Sequence, residues 1–240
     1  MSIAEKLTTI AENQQKVFDA GIESEYDRFW DAFQRNGERT NYYVAFYSSD
    51  QRLPVWTDDN FKPKHAIAPS NAQNMLYCSS VSGDLRTKAT IDFSKATNVN
   101  SAISYCPNLT TIGVLDLRKV STNSISAVTY CNVLETIEEI IFKEDGTQYA
   151  SSTGFSFAGC PLLEEVRITG AINFNFNAGM CTKLSKASIE SIVNALYAPT
   201  TGKTFTVSSS AVTAAFGSTD AKEWKDLVDT KPNWTVVLGG

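Results

Sequence analysis

Five cysteines, Cys78, Cys106, Cys131, Cys160 and Cys181, are the residues of this 240-residue chain whose type most readily does chemistry. Thiols ligate metals, form disulfides or attack substrates, and each use needs partners at a suitable spacing. No two of the five stand as Cys-x-x-Cys, the spacing of zinc and redox sites. Each instead occupies the same place in a recurring phrase. Stacking the phrases would line the thiols up in an interior column, where free cysteine behaves as a small apolar residue. Disulfides between adjacent copies come within reach only if the protein meets an oxidising compartment.

The other chemistry-bearing residues are isolated or have a simpler use. His65 is the single histidine, set in a proline-rich stretch without His-Glu-x-x-His, and no serine sits in Gly-x-Ser-x-Gly. Gly202-Lys203-Thr204 resembles the end of a P-loop, but Tyr197 stands where its first glycine belongs. Glu138-Glu139 and Glu164-Glu165 suggest a two-carboxylate glycosidase. Both pairs precede a strand in the same slot of the repeat, so the repeat accounts for them. Asp58-Asp59-Asn60 and Glu144-Asp145-Gly146 lack the ligand ladder of an EF-hand and read as turns. Asn108-Leu-Thr110 and Asn233-Trp-Thr235 are formal glycosylation sequons, expected to be idle. The expectation is a chain with no catalytic residue, no metal and no cofactor; a polysaccharide-degrading activity built on the acidic residues is the enzymatic alternative.

The phrase itself is written three times: Tyr105-Cys106-Pro-Asn-Leu109-Thr-Thr-Ile112, Tyr130-Cys131-Asn-Val-Leu134-Glu-Thr-Ile137, and Gly159-Cys160-Pro-Leu-Leu163-Glu-Glu-Val166. Such recurrence marks stacked supersecondary units, each too small to bury its own apolar face. Ile91 and Phe93, Leu115 and Leu117, Ile140 and Phe142, and Val166 and Ile168 align as inward strand pairs, at steps of 24, 25 and 26 residues (91→115→140→166). Residues between them face out: Asp92, Asp116, Ile141 and Arg167 in one column, then Ser94, Arg118, Lys143 and Thr169. Asp92, Asp116, Arg118, Ile141, Lys143 and Arg167 are the candidate partner-binding face. Cys78 with Val81 opens a less regular copy, and Cys181 with Leu184 and Ala187 opens one that becomes a helix from Ser185 to Leu196.

On either side of the repeats the text changes. Ser2 and Glu5 fit a capping box, and Ile3, Leu7, Ile10, Gln14 and Val17 follow the 4-3 spacing of a coiled-coil seam. This predicts a long helix running through Tyr26, Phe29, Trp30 and Phe33 to Asn36-Gly37 and serving self-association, with a trimer favoured by analogy. Thr40 to Ser70 holds Tyr42, Tyr43, Phe46, Tyr47, Trp56 and Phe61 among prolines, a loop-rich connector that seals the first repeat, with one short strand at Tyr42 to Phe46. After the repeats, strand-like Thr204–Val207, a short helix at Ala211 to Phe216 and a strand at Trp234 to Leu238 make a terminal cap. The predicted fold is therefore an α/β solenoid: helix 1–37, connector and cap 38–74, repeats with a parallel sheet 75–184, and an α+β cap 185–240.

With 42% apolar residues the chain can bury a sizeable core, and with a net charge of −5 and no basic run it is not expected to bind nucleic acid. Glu5 and Lys6 stand where a signal peptide needs an apolar run, and no stretch of about 18 apolar residues occurs, so no membrane insertion is expected.

The phrase aromatic-x-x-Cys-x-x-Leu-x-x-Ile followed by a two-residue-spaced apolar strand resembles the BspA-like, Treponema-type leucine-rich repeats of bacterial surface proteins, over about residues 75–190. The opening, Ala4 to Asn13 and Tyr26 to Phe33, and the ending, Leu184 to Ile192 and Lys231 to Trp234, resemble proteins found among phage and prophage tail genes of gut Firmicutes. This sequence lacks the strand-terminal proline that many such repeats carry. The resemblance implies a non-enzymatic tail-associated structural or receptor-binding protein. Such a protein resides in the virion, or in the bacterial cytoplasm before assembly, and its partners are a tail or baseplate protein and a host-surface glycan or protein. A bacterial repeat module for protein interaction or adhesion, unrelated to a virion, is the alternative.

Overall fold

The computed structural model describes residues 33–34, 39–42, 45–46, 56–59, 61–121, 125–145, 149, 154–199 and 201–240. They form a mixed α/β arrangement whose strands pair in parallel around one continuous apolar core. A first sheet holds β1 (Gly83–Asp84), β3 (Leu109–Asp116), β5 (Thr136–Ile141) and β7 (Glu165–Thr169), in that order. Strand β2 (Ile103–Ser104) pairs with β4 (Val128–Thr129). A second sheet runs β6 (Phe155–Ser156), β8 (Phe176–Ala178), β9 (Lys203–Ser208), β10 (Trp234–Gly239).

The repeated phrase sets this pairing. The apolar residues at +3 and +6 from the cysteines, Leu109 and Ile112, Leu134 and Ile137, Leu163 and Val166, are all buried. Ile112 lies opposite Ile137, and Leu115 opposite Ile140, each one repeat along. The next step departs from the sequence alignment. Val166 pairs with Ile137 and Ile168 with Ile140, so the step is 28 residues (140→168) where 26 was expected. Glu138 and Glu139 consequently stand opposite the single Arg167, a β-bulge. Inward residues on β3 and β5 first run at an interval of three (112→115, 137→140) and then at the expected two, since Leu117 and Phe142 are buried as well, whereas β7 runs at two (166→168). Ile91 is not in register with Leu115 either: it bridges Ile67, while β1 meets β3 through Gly83 and Asp84.

The last copy of the phrase turns into α1 (Lys186–Ala195), as its spacing predicts, with Ser185 as N-cap. This helix lies along the edge of β7. The hydroxyls of Ser188 and Ser191 accept the β7 backbone N–H groups of Val166 and Ile168 at 2.9 and 2.8 Å. Two serines thus take the place of the next strand and blunt an edge that would otherwise present open donors. After α1 come β9, α2 (Ser209–Phe216), α3 (Lys222–Asp229) and β10. Gly217 ends α2 at φ +87°, the left-handed C-cap that glycine suits. Sequence reading anticipated α2 and β10 but passed over α3, which buries Trp224 alone.

At the other end, Tyr42, Phe46, Trp56 and Phe61 are buried in the same core as the repeats; Phe46, Trp56 and Phe61 pack edge to face with ring centroids 5.1 to 6.1 Å apart, and Tyr42 lies tilted against Phe46 at 6.0 Å. The short strand expected at Tyr42 to Phe46 does not appear at its described residues. Ala45 N–H returns to the Tyr42 carbonyl at 3.1 Å, which is a turn. Of the predicted N-terminal helix, Phe33 and Gln34 are helical; the seam residues Ile3, Leu7, Ile10, Gln14 and Val17 lie outside the described residues. No helix among the described residues is long and apolar enough to cross a membrane.

Candidate functional site

The outward face of the first sheet carries charge from β1 to β7. Asp84 and Asp116 each begin an Asp-Leu-Arg tripeptide, and both fold the same way. The aspartate oxygen accepts the backbone N–H two residues on, and the arginine closes a forked ion pair of 2.7 Å, Arg86 on Asp84 and Arg118 on Asp116. Hydrogen bonding from the arginine holds both carboxyls below the usual aspartate range. Arg86 also lies across β3: a Cβ added to Gly113 would meet its Cγ at 3.3 Å, and its guanidinium is 3.8 Å from Glu138. The glycine leaves room for this crossing.

The bulge re-aims the next two carboxylates. Glu139 takes Arg167 at 3.1 Å and the Thr169 hydroxyl at 2.5 Å, while Glu138 lines the clefts on both sides of it. The first cleft, about 270 Å³, is floored by apolar Leu85, Ile91, Phe93, Ile112 and Val114, with Arg86 and Glu138 supplying charge. The second, about 330 Å³, gathers Thr136, Glu138, Glu165, Arg167, Ser188 and Ser191. Glu165 is fixed there by the hydroxyls of Ser185 and Ser188 at 3.1 and 3.4 Å. Glu138-Glu139 and Glu164-Glu165 do not share a slot: the first pair forms the bulge, while the N–H groups of Glu164 and Glu165 donate to Glu135 at the start of the strand pair. Of the four, Glu138 and Glu165 line one cleft together.

The six residues proposed as one outward face are placed in several settings. Asp116 and Ile141 are in register on neighbouring strands, but Thr169, not Arg167, follows them. Asp116 is only 7% exposed, between buried Leu115 and Leu117, and it braces Arg118 more than it meets solvent. Asp92 lies in the segment bridging Ile67, where it accepts the Ser94 N–H. Lys143 stands with its ammonium 4.5 Å over the Tyr149 ring. Arg118 and Arg167 remain half or more exposed while held by carboxylates, which presents each guanidinium in a fixed pose. No family model matches the chain, and no curated protein or solved structure matches it. What the face can do therefore rests on its geometry: alternating, braced charges beside two clefts suit recognition of a polar partner.

Sequence reading missed Arg86, Glu138 and Glu139 as members of this face. The repeated Asp-Leu-Arg at 84–86 and 116–118 was the available signal. The bulge left none, because it depends on pairing with β7.

The cysteines take the interior positions that their spacing predicts. Cys106, Cys131, Cys160 and Cys181 are buried and free, with Cys78 half-buried. Three thiols donate to backbone carbonyls of the preceding repeat, Cys106 to Leu76 at 2.9 Å, Cys131 to Ile103 at 3.6 Å and Cys181 to Phe157 at 3.9 Å, whereas Cys160 donates to Ala158 in its own. Hydrogen bonding with Cys106, together with burial, pushes the Cys131 thiol up to about 12. The Cys131 thiol and burial likewise raise Cys160, and burial raises Cys181. Such thiols stay protonated and unreactive near neutral pH. His65 is exposed, and its backbone is held at both ends by the Gln34 amide.

Proposed function

We propose that the chain is a non-enzymatic recognition protein of the phage-tail type its ends resemble. In this reading a short leucine-rich-repeat solenoid displays a host-binding face, and the N-terminal helix assembles copies, as a trimer, onto a tail or baseplate. The observation that carries the reading is the belt of arginines on the first sheet. Arg86, Arg118 and Arg167 are each exposed yet locked by a carboxylate. A pre-organised guanidinium loses little side-chain freedom when it meets a ligand, which favours binding.

The experiment is retention of the full chain by cell walls of gut Firmicutes. Charge reversal by Arg167→Glu, or by Arg118→Glu with Lys143→Glu, is expected to weaken retention at least tenfold. Retention unchanged by both would discard the face. Assembly is read separately by sedimentation of the full chain and of a chain beginning at Thr40. A full chain that is monomeric at micromolar concentration would discard the stalk.

A further inference from the structure

The second sheet has an outward face of different chemistry. A concave cleft of about 330 Å³ crosses β6, β8 and β9, lined by Ser126, Ser156, Asn175, Asn177, Thr204 and Thr206, and no charged side chain among the described residues lines it. The lining is ordered by strand register. Ser156, Asn177 and Thr206 stand opposite one another on successive strands and form one row, with Asn175 and Thr204 in the row beside it. Beneath them Phe155, Phe176 and Phe205 point inward and are buried. The alternation of a strand thus divides aromatic core from polar surface.

Both amides are fixed before any ligand arrives. The Asn175 side-chain oxygen accepts the Thr204 backbone N–H at 3.0 Å, and that of Asn177 accepts the Gly179 N–H at 2.9 Å. Each oxygen is thereby occupied, and the amide NH2 is the part left to meet a ligand. The Ser156 oxygen likewise accepts the Ala158 N–H at 3.2 Å, which leaves its O–H to donate. Gly154 closes one end of the cleft: at φ +122°, a Cβ there would lie 2.5 Å from the Asn175 carbonyl oxygen, so only glycine lets the chain approach this closely.

From these features we infer that this cleft binds a linear, uncharged polysaccharide running across the strands. Three arguments select that ligand. The described lining holds no charged side chain to pair with an ionic ligand, whereas a neutral polyol leaves no unpaired charge on binding. The amide NH2 groups and the Ser156 O–H offer donors to the hydroxyl and ring oxygens of a sugar, and the threonine hydroxyls can donate or accept. Within a row the side chains repeat at the strand spacing of about 4.8 Å, close to the advance of one sugar ring along an extended glycan, so successive strands can address successive rings. The inference rests on the reading of the chain as a recognition protein, but it assigns the glycan to the second sheet and leaves the charged first sheet to another contact.

The test applies the full-length protein to a printed array of neutral and anionic oligosaccharides, beside Thr204→Val with Thr206→Val and, separately, Arg167→Glu. Valine keeps the shape and strand preference of threonine and removes the hydroxyl. The expected result is binding to neutral glycans, at least about fivefold weaker in the double valine variant, as the loss of two hydrogen bonds would give, and unaltered by Arg167→Glu. A thermal melt of the double variant within a few degrees of the parent confirms that it folds; if it unfolds, Asn175→Ala takes its place in the same comparison. Binding only to anionic glycans, binding insensitive to these substitutions, or no binding to any neutral glycan overturns the inference. So does a change of sedimentation mass in the valine variant, which would make the cleft an interface between copies. Retention by Firmicutes cell walls, measured in parallel, separates the two failures. Wall retention without neutral-glycan binding defeats this inference alone, and loss of both defeats the recognition reading as well.

Discussion

The two sheets meet one core with opposite chemistries on either side of the backbone. Under the first sheet the inward residues are aliphatic, Ile112, Ile137 and Val166, then Leu115, Ile140 and Ile168. Above it stand arginines and carboxylates. Under the second the inward residues are rings, Phe155 stacked on Phe176 at 5.4 Å and 10° and Phe176 tilted by 54° to Phe205 at 6.2 Å. Above them the described cleft lining carries no charge. A bulge disturbs the first sheet and redirects Glu138 and Glu139, whereas β8, β9 and β10 keep unbroken register. Irregular pairing aims individual charged side chains; regular pairing lays similar groups in rows. One face is therefore suited to a specific polar partner and the other to a repetitive ligand.

Removing the floor of the second face breaks this contrast most severely. Phe176 touches rings on both flanking strands as well as Phe157, so Phe176→Ala should cost about 3–5 kcal/mol. The measurement is the denaturant midpoint, and a loss below 1 kcal/mol would mean that the rings are not packed as described. The next effect belongs to the first sheet. Ser188→Ala leaves the Val166 N–H without its acceptor at a site 1% exposed, which should cost about 1–3 kcal/mol. Ser188→Thr, which keeps the hydroxyl, should recover part of it.

The sequence made the inward half of this organisation legible and left much of the outward half hidden. Cysteine, leucine and isoleucine recur because each repeat presents the same interior slot to its neighbours. That slot constrains residue type strongly enough to be read, and α1 and β10 were found by the same periodicities. Outward positions carry no such constraint, and their placement depends on how many residues separate the inward ones. Ile137 to Ile140 spans three residues and Val166 to Ile168 only two, and that difference decides where Glu138, Glu139 and Arg167 lie. The row of Ser156, Asn177 and Thr206 was hidden for a related reason. Ser156 and Asn177 stand four residues before Cys160 and Cys181, an outward slot whose residue type the repeat does not constrain, and Thr206 belongs to the C-terminal cap, which lacks the phrase.

Smaller perturbations sharpen the contrast. Asp116 is nearly buried and paired with Arg118, whose hydrogen bonds depress its folded carboxyl below the unfolded value of about 3.9. A depressed carboxyl contributes stability that is fully present above the unfolded value and is lost as pH falls through the folded one. Asp116→Asn should therefore lower stability by about 1 kcal/mol at neutral pH, with the difference from the parent shrinking in acid. Urea midpoints at pH 7 and across the acid range check both statements, and a difference that grows in acid would reverse the assignment.

Arg167→Ala should have the least effect on folding and the clearest meaning. Its side chain is 65% exposed and its partner Glu139 keeps a hydrogen bond from Thr169, so the ion pair is worth at most about 1 kcal/mol in water. The substitution should leave the thermal midpoint within a few degrees of the parent. If the bulge exists to aim this guanidinium at a partner, wall retention should fall while the fold stays intact. Thr169→Val supplies the complement. It removes the second support of Glu139 but keeps Arg167, so the guanidinium loses its fixed pose and not its charge. A drop in retention with Arg167→Ala alone would mean that charge suffices, whereas a drop with both would mean that the face works by holding its charges still.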